Sequence, residues 1–469
     1  MAVFAQQTLE THRLHYLFGP GYPLTVLLGS FFVWITSLFS NHDSVFAVNL
    51  MSVVLSSFSV GILYILVKKL FNPRVAFFSS FLFSIFPIFL GISVYGMSHA
   101  PAIFFFLLGI LFLLQFDHSR RGKDLLLSSL CLGLMGACRI QDLAFISIPA
   151  SYLLFIVLKK ALVPLNFRKT FLRLIVFWIG TGIIAATFHL PLLLSSMETN
   201  YSSQMSRFWE KAITLNFLGI SPDSLFYTSQ NIIFGLTPVG FLLGILGFFW
   251  IYQNDRKKFF FLILWFFIPF LFYGNIWGTV PRFYSFFTIP LIIAIGYTFD
   301  YLLKYKNLLF KITLGLIFNL IILTLFFNMY PILKFRHDHA LLPEVARFIA
   351  QHTESNAVVI TGDESFFFNH YGNVQTLSKP AYELYPSDGS LQEFKKEIDA
   401  LLEKNTPLYI TSTGLYSYDN GKFFSTMMKK SYHLHLIGRH LSEDWHKGET
   451  RLRTGWEYLW RIEPENFED

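Results

Sequence analysis

The sequence predicts an all-α polytopic membrane bundle followed by a small C-terminal α/β domain, and three observations predict it. Apolar stretches of about 20 residues recur through the first 330 positions, each long enough to cross roughly 30 Å of hydrocarbon. The chain of 469 residues is 53% hydrophobic and 19% aromatic, with 56 Phe, yet only 14% charged, where a soluble domain carries about a quarter. Beyond residue 335 the character changes, with charge returning and short amphipathic elements replacing the long runs.

The spans fall near 45–67, 75–95, 98–116, 124–138, 143–158, 171–194, 231–252, 259–274, 284–303 and 308–329. The 124–158 block is interrupted by Arg139, Gln141 and Asp142, which splits it into a short helical hairpin. Loop charge then sets orientation. Lys68, Lys69 and Arg74 form one cluster. Arg120, Arg121 and Lys123 form the next, then Lys159, Lys160, Arg168 and Lys169. Arg256, Lys257 and Lys258, and last Lys304 and Lys306, complete the set. The alternate loops are poor in such residues, and only 195–230 holds two, Arg207 and Lys211. With about ten spans every cluster lies on one side. Basic loops stay cytoplasmic, so the N-terminus and the C-terminal domain are expected outside. The +7 formal charge is thereby explained as an orientation signal, and nucleic acid is excluded as a partner.

Residues 21–39 are apolar and open on Pro20, Gly21 and Pro23, tolerable at a helix start. They would span or lie along the surface, and the charge rule does not choose. Cys131 and Cys138 sit seven residues apart in one helix, roughly 10 Å, too far for a disulfide, and read as packing residues. Met1–Pro20 lacks the basic-then-apolar order of a cleavable signal peptide. The domain organisation is therefore 1–44 as a partial external loop, 45–330 as the bundle, and 335–469 as an extracytoplasmic α/β domain. In that domain Ala357–Thr361 and Leu408–Thr413 read as buried strands, and Leu341–His352 and Leu391–Lys404 as amphipathic helices.

Polar anomalies gather on the outer face. Arg139 lies between two apolar spans, and Arg282 follows Pro281 at the mouth of another. A membrane-edge Arg is costly unless paired, so it marks a functional site by default. A guanidinium grips phosphate bidentately; snorkelling to the interface is the plainer alternative. His99, in the tight Tyr95–His99 loop, is a candidate head-group ligand or a satisfied loop histidine. The 195–230 loop, with Tyr201, Arg207, Trp209, Glu210, Lys211 and Asp223, is a lid or a connector. Asn200-Tyr201-Ser202 has the form of a glycosylation acceptor, a pattern short enough to arise by chance. His337/His339 and His433/His435 have metal-like spacing with His440 and His446 as loose third ligands, but no metal site or cofactor is assigned. Asp363 and Glu364 follow a strand end, where a solvated turn competes with a ligand site.

Taken together the motifs resemble a family. His12-Arg13-Leu14 and Gly19-Pro20-Gly21-Tyr22-Pro23-Leu24 look like the first external loop of the C-type membrane glycosyltransferases. These include dolichyl-phosphate-mannose protein mannosyltransferases and bacterial polyprenyl-phosphate-sugar transferases. Met97-Ser98-His99-Ala100-Pro101, Gly136-Ala137-Cys138-Arg139 and Pro281-Arg282-Phe283-Tyr284 extend the match over roughly 4–330. The resemblance implies a glycosyltransferase that moves a sugar from a polyprenyl-phosphate donor in the outer leaflet to a glycan, lipid or protein acceptor. An external carboxylate would act as general base and cations would steady the leaving phosphate. Arg139 and Arg282 would hold the donor phosphate, and Arg13, Tyr22, His99 and Tyr284 would line the cavity. The 21–39 segment would lie along the surface, and the setting would be a bacterial inner membrane. The family's catalytic Asp and first transmembrane helix would fall upstream of Met1; Glu10, the nearest acid, holds a different place in the motif, so no catalytic residue is assigned.

Two other readings remain from the residues alone. A transporter or flippase of lipid-linked sugars would show repeats and interrupted mid-membrane helices; no repeat is visible. A non-catalytic membrane protein would act through partner binding by the 335–469 domain.

Overall fold

The computed structural model describes residues 1–15, 22–39, 43–161, 167–194, 222–277, 281–362, 365–379, 384–387, 389–417, 419, 421–443 and 454–464. Two compact units divide between Pro331 and Ile332.

The first unit is helical. Its elements are α1 (Ala2–Thr11), α2 (Pro23–Ser37), α3 (Ser44–Leu70), α4 (Pro73–Ser84), α5 (Pro87–Ser93), α6 (His99–Ser119), α7 (Gly122–Cys138), α8 (Ile140–Ala161) and α9 (Phe167–Leu194). They continue with α10 (Pro222–Leu236), α11 (Pro238–Asn254), α12 (Arg256–Trp277), a 3-10 turn at Pro281–Ser285, α13 (Ile289–Leu302) and α14 (Leu308–Asp338). Among the described residues six helices are long and apolar enough to cross a membrane, or up to eight if each bent pair is one span. With their exposed Leu and Phe faces, they make this a multi-pass membrane protein.

Two of the expected spans are broken. Residues 75–95 comprise α4 and α5, bent by 62° where Pro87 opens the second helix and its missing N–H ends the first ladder. Residues 231–252 belong to α10 and α11, bent by 100° at Thr237, whose φ is 66° and whose hydroxyl accepts from Gly240 N–H at 3.1 Å. The expected span at 284–303 begins with the 3-10 turn and becomes α-helical only at Ile289. The short α2 turns Leu27, Phe31, Trp34 and Leu38 outward on one helical face. At about 1.5 Å per residue its 15 residues fall short of a hydrocarbon core.

Helix ends carrying the basic loops meet one another. Asn72 Nδ2 donates to Asp300 Oδ2 at 2.9 Å, Lys258 Nζ lies 5.2 Å over the Phe71 ring, and Phe71 packs edge-on against Tyr297. Arg120 Nη1 donates to Val157 O at 3.1 Å. Thus the 71–72, 254–258 and 297–304 regions converge, and the turn after α6 reaches the last turns of α8. The interior between the ends is aromatic: buried Trp265 donates to Phe286 O at 3.1 Å and meets Phe106 edge-on at 4.9 Å.

The second unit holds α15 (Leu341–His352), β1 (Val358–Thr361), α16 (Ser365–Gly372), β2 (Gln375–Ser378), α17 (Ser390–Glu403), β3 (Leu408–Thr411), α18 (Ser412–Tyr416), α19 (Phe423–Ser431), β4 (Tyr432–Glu443) and β5 (Thr454–Pro464). The sheet order is β2-β1-β3-β5-β4. β1 runs parallel to β2 and β3, and the β4–β5 hairpin is antiparallel with a bulge between Leu436 and Gly438. The sequence reading contains β1, β3, α15 and α17. It lacks β2 and the hairpin, and its strand to Thr413 stops at Thr411, where the Thr411 hydroxyl caps α18 through Gly414 N–H at 3.0 Å. Apolar clusters cover both faces of this sheet, one around Ile360, Ile398 and Ile410, the other around Val359, Ile349 and Tyr409.

Candidate functional site

At the ends opposite the basic loops, buried and half-buried polar side chains from five chain segments meet. Arg139 is the centre. It occupies the single extended residue (φ −156°, ψ 92°) between α7 and α8, so the hairpin break itself aims the side chain. Arg139 is 1% exposed. Its Nε donates to Asp142 Oδ2 at 2.5 Å, and its Nη1 donates to Ser98 Oγ at 3.0 Å. Asp142 lies one turn into α8, where i,i+3 spacing places it beside the arginine. The other Asp142 oxygen accepts the Tyr273 hydroxyl from α12. A buried charge with this pairing is stable, whereas one without it would cost several kcal/mol.

Aromatic rings enclose the pair. The Arg139 Cζ lies 5.5 Å from the Tyr22 ring centre and 5.4 Å from that of Phe283. Phe283 stacks on Tyr273 at 5.2 Å and 15°, and the Arg282 Cζ lies 5.7 Å from the same Phe283 ring. One phenyl ring thus receives two guanidiniums, each attracted to its negative face. His99, the first residue of α6, meets the Phe283 ring edge-on at 5.6 Å and is 4% exposed. The loop before it is fixed by Gly96, whose N–H donates to Asn49 Oδ1 at 2.8 Å. A Cβ at Gly96 would come within 2.6 Å of Val48 Cγ1, so only glycine allows this approach.

Several buried polar atoms of the cluster have no hydrogen-bond partner among the described residues: both ring nitrogens of His99, Arg139 Nη2 and Gln141 Oε1. Gln141 Nε2 reaches the Tyr22 hydroxyl at 3.5 Å. Buried polar groups are nearly always paired in folded proteins. Three unsatisfied groups around one cationic, aromatic-walled position form a setting suited to an anion that also carries hydroxyl groups.

The structure brings together four of the six sequence candidates: Tyr22, His99, Arg139 and Arg282. Tyr284 is fully buried and turns the other way, its hydroxyl 3.4 Å from Thr228 Oγ1 on α10. Arg13 is exposed, and its side chain makes no hydrogen bond or ion pair with a described residue. Tyr201, Arg207, Trp209, Glu210, Lys211, Asp363, Glu364 and His446, and the Asn200-Tyr201-Ser202 pattern, lie outside the described residues. His433 and His435 share one face of β4, and His440 Nδ1 faces Leu441 O at 2.9 Å. Among the described residues no three His, Cys, Asp or Glu side chains gather as metal ligands do. Sequence reasoning missed Asp142 and Tyr273 as site residues. The opposite charge three residues after Arg139 was the available signal for the first; Tyr273 carries none.

Residues 25–191 match the family model for dolichyl-phosphate-mannose-protein mannosyltransferase, a stretch that includes His99, Arg139 and Asp142. A curated relative, undecaprenyl phosphate-alpha-4-amino-4-deoxy-L-arabinose arabinosyl transferase 2 of Proteus mirabilis, is 26% identical over 280 residues. That alignment takes in 58% of this chain and 49% of the relative, so the match spans about half of that protein's length. Among solved structures, the Archaeoglobus fulgidus oligosaccharyltransferase aligns over 97% of this chain and 69% of its own, at TM-score 0.57 and 14% identity. ArnT from Cupriavidus metallidurans aligns over 98% of this chain and 92% of its own, at TM-score 0.55 and 10% identity. The fold of this chain is therefore ArnT-like and oligosaccharyltransferase-like. In residues 25–191 the chain is thus similar to the dolichyl-phosphate-mannose-protein mannosyltransferases, and in fold it is similar to ArnT and the oligosaccharyltransferase.

Proposed function

We propose that the chain transfers a sugar from a polyprenyl-phosphate donor to an acceptor at the extracytoplasmic face of a bacterial plasma membrane. The observation that carries this reading is buried Arg139 and half-buried Arg282 meeting on the Phe283 ring, with buried His99 beside it. It lies at the helix ends away from the basic loops. In the ten-span topology those ends are extracytoplasmic, with α2 along the membrane surface and the C-terminal domain outside. Two relatives support the donor class. One is named for an undecaprenyl-phosphate sugar, and the Cupriavidus protein was solved with undecaprenyl phosphate bound.

The chemistry follows from the charges. As the sugar–phosphate C–O bond breaks, negative charge accumulates on the departing polyprenyl phosphate. Arg139, held by Asp142 and Ser98, presents Nη2 to that charge without reorganising, and Arg282 adds a second cation. Preorganised donors of this kind are where most transition-state stabilisation originates. His99 stands where a sugar hydroxyl or phosphate oxygen would be within reach of its ring, and Tyr22 with Phe283 gives the sugar an aromatic wall. Asp142 acts through Arg139 as a positioning residue.

The test uses undecaprenyl phosphate, the phosphate product expected of such a transfer. It should raise the melting temperature of the detergent-solubilised protein, and Arg282→Ala should remove that protection. Equal protection of wild type and mutant would overturn the role given to Arg282. Vesicle flux of a lipid-linked sugar without any transferred product would replace transfer by transport.

A further inference from the structure

We propose that the C-terminal unit carries a second, separate binding site for an acidic saccharide. A cavity of about 330 Å³ opens in this unit, lined by Leu415, Tyr416, Lys429, Tyr432, His433 and Trp460, with Leu434. That volume is at the small end of the usual range for small-molecule sites, about 300–1,000 Å³.

The elements that build it fix its chemistry. Tyr416 ends α18, Lys429 lies on the last turn of α19, and Trp460 stands in the middle of β5. The Tyr416 and Trp460 rings are 6.5 Å apart at 83°, so they form a corner. Tyr458 stacks on Trp460 at 5.5 Å and 20° and holds it in place. Tyr416 is 51% exposed, so it leaves aromatic surface open to solvent beside Trp460. Aromatic faces carry negative potential. The axial C–H bonds of a pyranose, polarised by their oxygens, are the natural complement.

Among the described residues none of those that line the cavity is an acid, and the Asp399 carboxylate beside it is taken up by the Tyr432 hydroxyl, from which it accepts at 2.6 Å, and by Lys395. The exposed Lys429 ammonium lies 5.4 Å over the Tyr416 ring and has no hydrogen bond or carboxylate partner among the described residues. An aromatic ring attracts an ammonium without using its three donors, so these stay available beside the corner. Those features select a sugar bearing a carboxylate or phosphate over a neutral one. They disfavour a metal ion, which would need acids or clustered imidazoles. This site is independent of the donor site around Arg139.

The test is saturation-transfer NMR on the full chain in detergent micelles, with three probes: glucuronic acid, glucose 6-phosphate and glucose. Expected is transfer to one or both acidic probes, at least about tenfold weaker for glucose, the loss of a charge-assisted contact. Lys429→Gln and Tyr416→Ala, both at exposed side chains, should each weaken acidic-probe binding at least about tenfold. Binding of undecaprenyl phosphate should be unchanged in both variants. Equal binding of all three probes, no binding by any, or acidic binding that survives both substitutions overturns the second site. Loss of undecaprenyl-phosphate binding by the wild type would instead overturn the transferase reading and leave this proposal standing.

Discussion

Asp142→Ala removes the carboxylate that takes Arg139 Nε at 2.5 Å and the Tyr273 hydroxyl on its other oxygen. Both members of the ion pair are buried, at 1% and 3% exposure. Removing one partner of such a pair leaves an uncompensated charge and costs about 3–5 kcal/mol. The Ser98 bond and the two ring contacts remain, which favours the lower end of that range. Asp142→Asn keeps one acceptor oxygen for Arg139 Nε and turns its amide NH2 toward the Tyr273 hydroxyl as a donor, so it loses the balancing charge but strands no hydrogen-bonding group. Charged hydrogen bonds contribute about 1.5–3 kcal/mol and neutral ones about 0.5–1.5, so the Asn variant should cost about 1–2 kcal/mol. Adding Arg139→Met to Asp142→Ala deletes the stranded charge and should recover part of the loss. The double-mutant cycle is then read from SDS-driven unfolding in mixed micelles, with coupling of about 2–4 kcal/mol expected. Independent sites add to within about 0.5 kcal/mol; additivity at that level would refute the claim that Asp142 holds Arg139 in place.

Two further outcomes follow from packing and burial. A Cβ at Gly247 of α11 would lie 2.0 Å from the Ala294 backbone oxygen on α13, so Gly247→Ala should destabilise by about 1–3 kcal/mol through overpacking. Gly182 has nothing within 4 Å, so Gly182→Ala should be neutral or stabilising; matched SDS midpoints would sink the contrast. In the C-terminal unit, burial raises the Glu457 carboxyl above its ordinary value of 4.5, although Thr413 N–H and Oγ donate to it at 2.8 and 2.9 Å. Its ionisation therefore opposes folding above the folded-state pKa, and that penalty vanishes below about 4.5. Glu457→Gln should stabilise this unit against urea at pH 8 and lose the advantage by pH 4. A variant less stable at pH 8 than at pH 4, relative to wild type, would reverse the sign.

How far the fold was legible depends on which physical signal each element uses. The amphipathic helix Leu341–His352 is recovered to the residue, because its 3.6-residue periodicity is uninterrupted and a helix is a local structure. β1 and β3 were visible as short apolar runs, since both are central and buried. The hairpin was not: β4 is an edge strand with exposed His433, His435 and Arg439, and edge strands keep such residues to discourage further pairing. In the bundle, apolar length finds a helix but not a bend. The 100° turn at Thr237 is enforced by one residue with positive φ and one hydroxyl cap, and a hydropathy window averages over both.

The site shows the same division more sharply. Arg139 was conspicuous, because charge inside an apolar block is expensive and stands out; Asp142 was visible in the same break, but the sequence reading does not count it among the site residues. Tyr273 and Phe283 were not, because the chain holds 22 Tyr and 56 Phe and nothing local marks these two. Their importance is topological. Phe283 lies in the 3-10 turn and Tyr273 near the end of α12, and the stack between them carries the turn to the hairpin of α7 and α8. A carboxylate placed between Arg139 and Arg282 would also hold both cations, but it would occupy their donors and cancel their charge. A phenyl ring attracts the two guanidiniums through its face while accepting no N–H bond in return. The arrangement keeps the buried Arg139 and the half-buried Arg282 close together, with Arg139 Nη2 still unpaired among the described residues. Asp142 balances the buried Arg139 charge, and the Phe283 ring holds Arg139 and Arg282 beside one another without a hydrogen bond of its own.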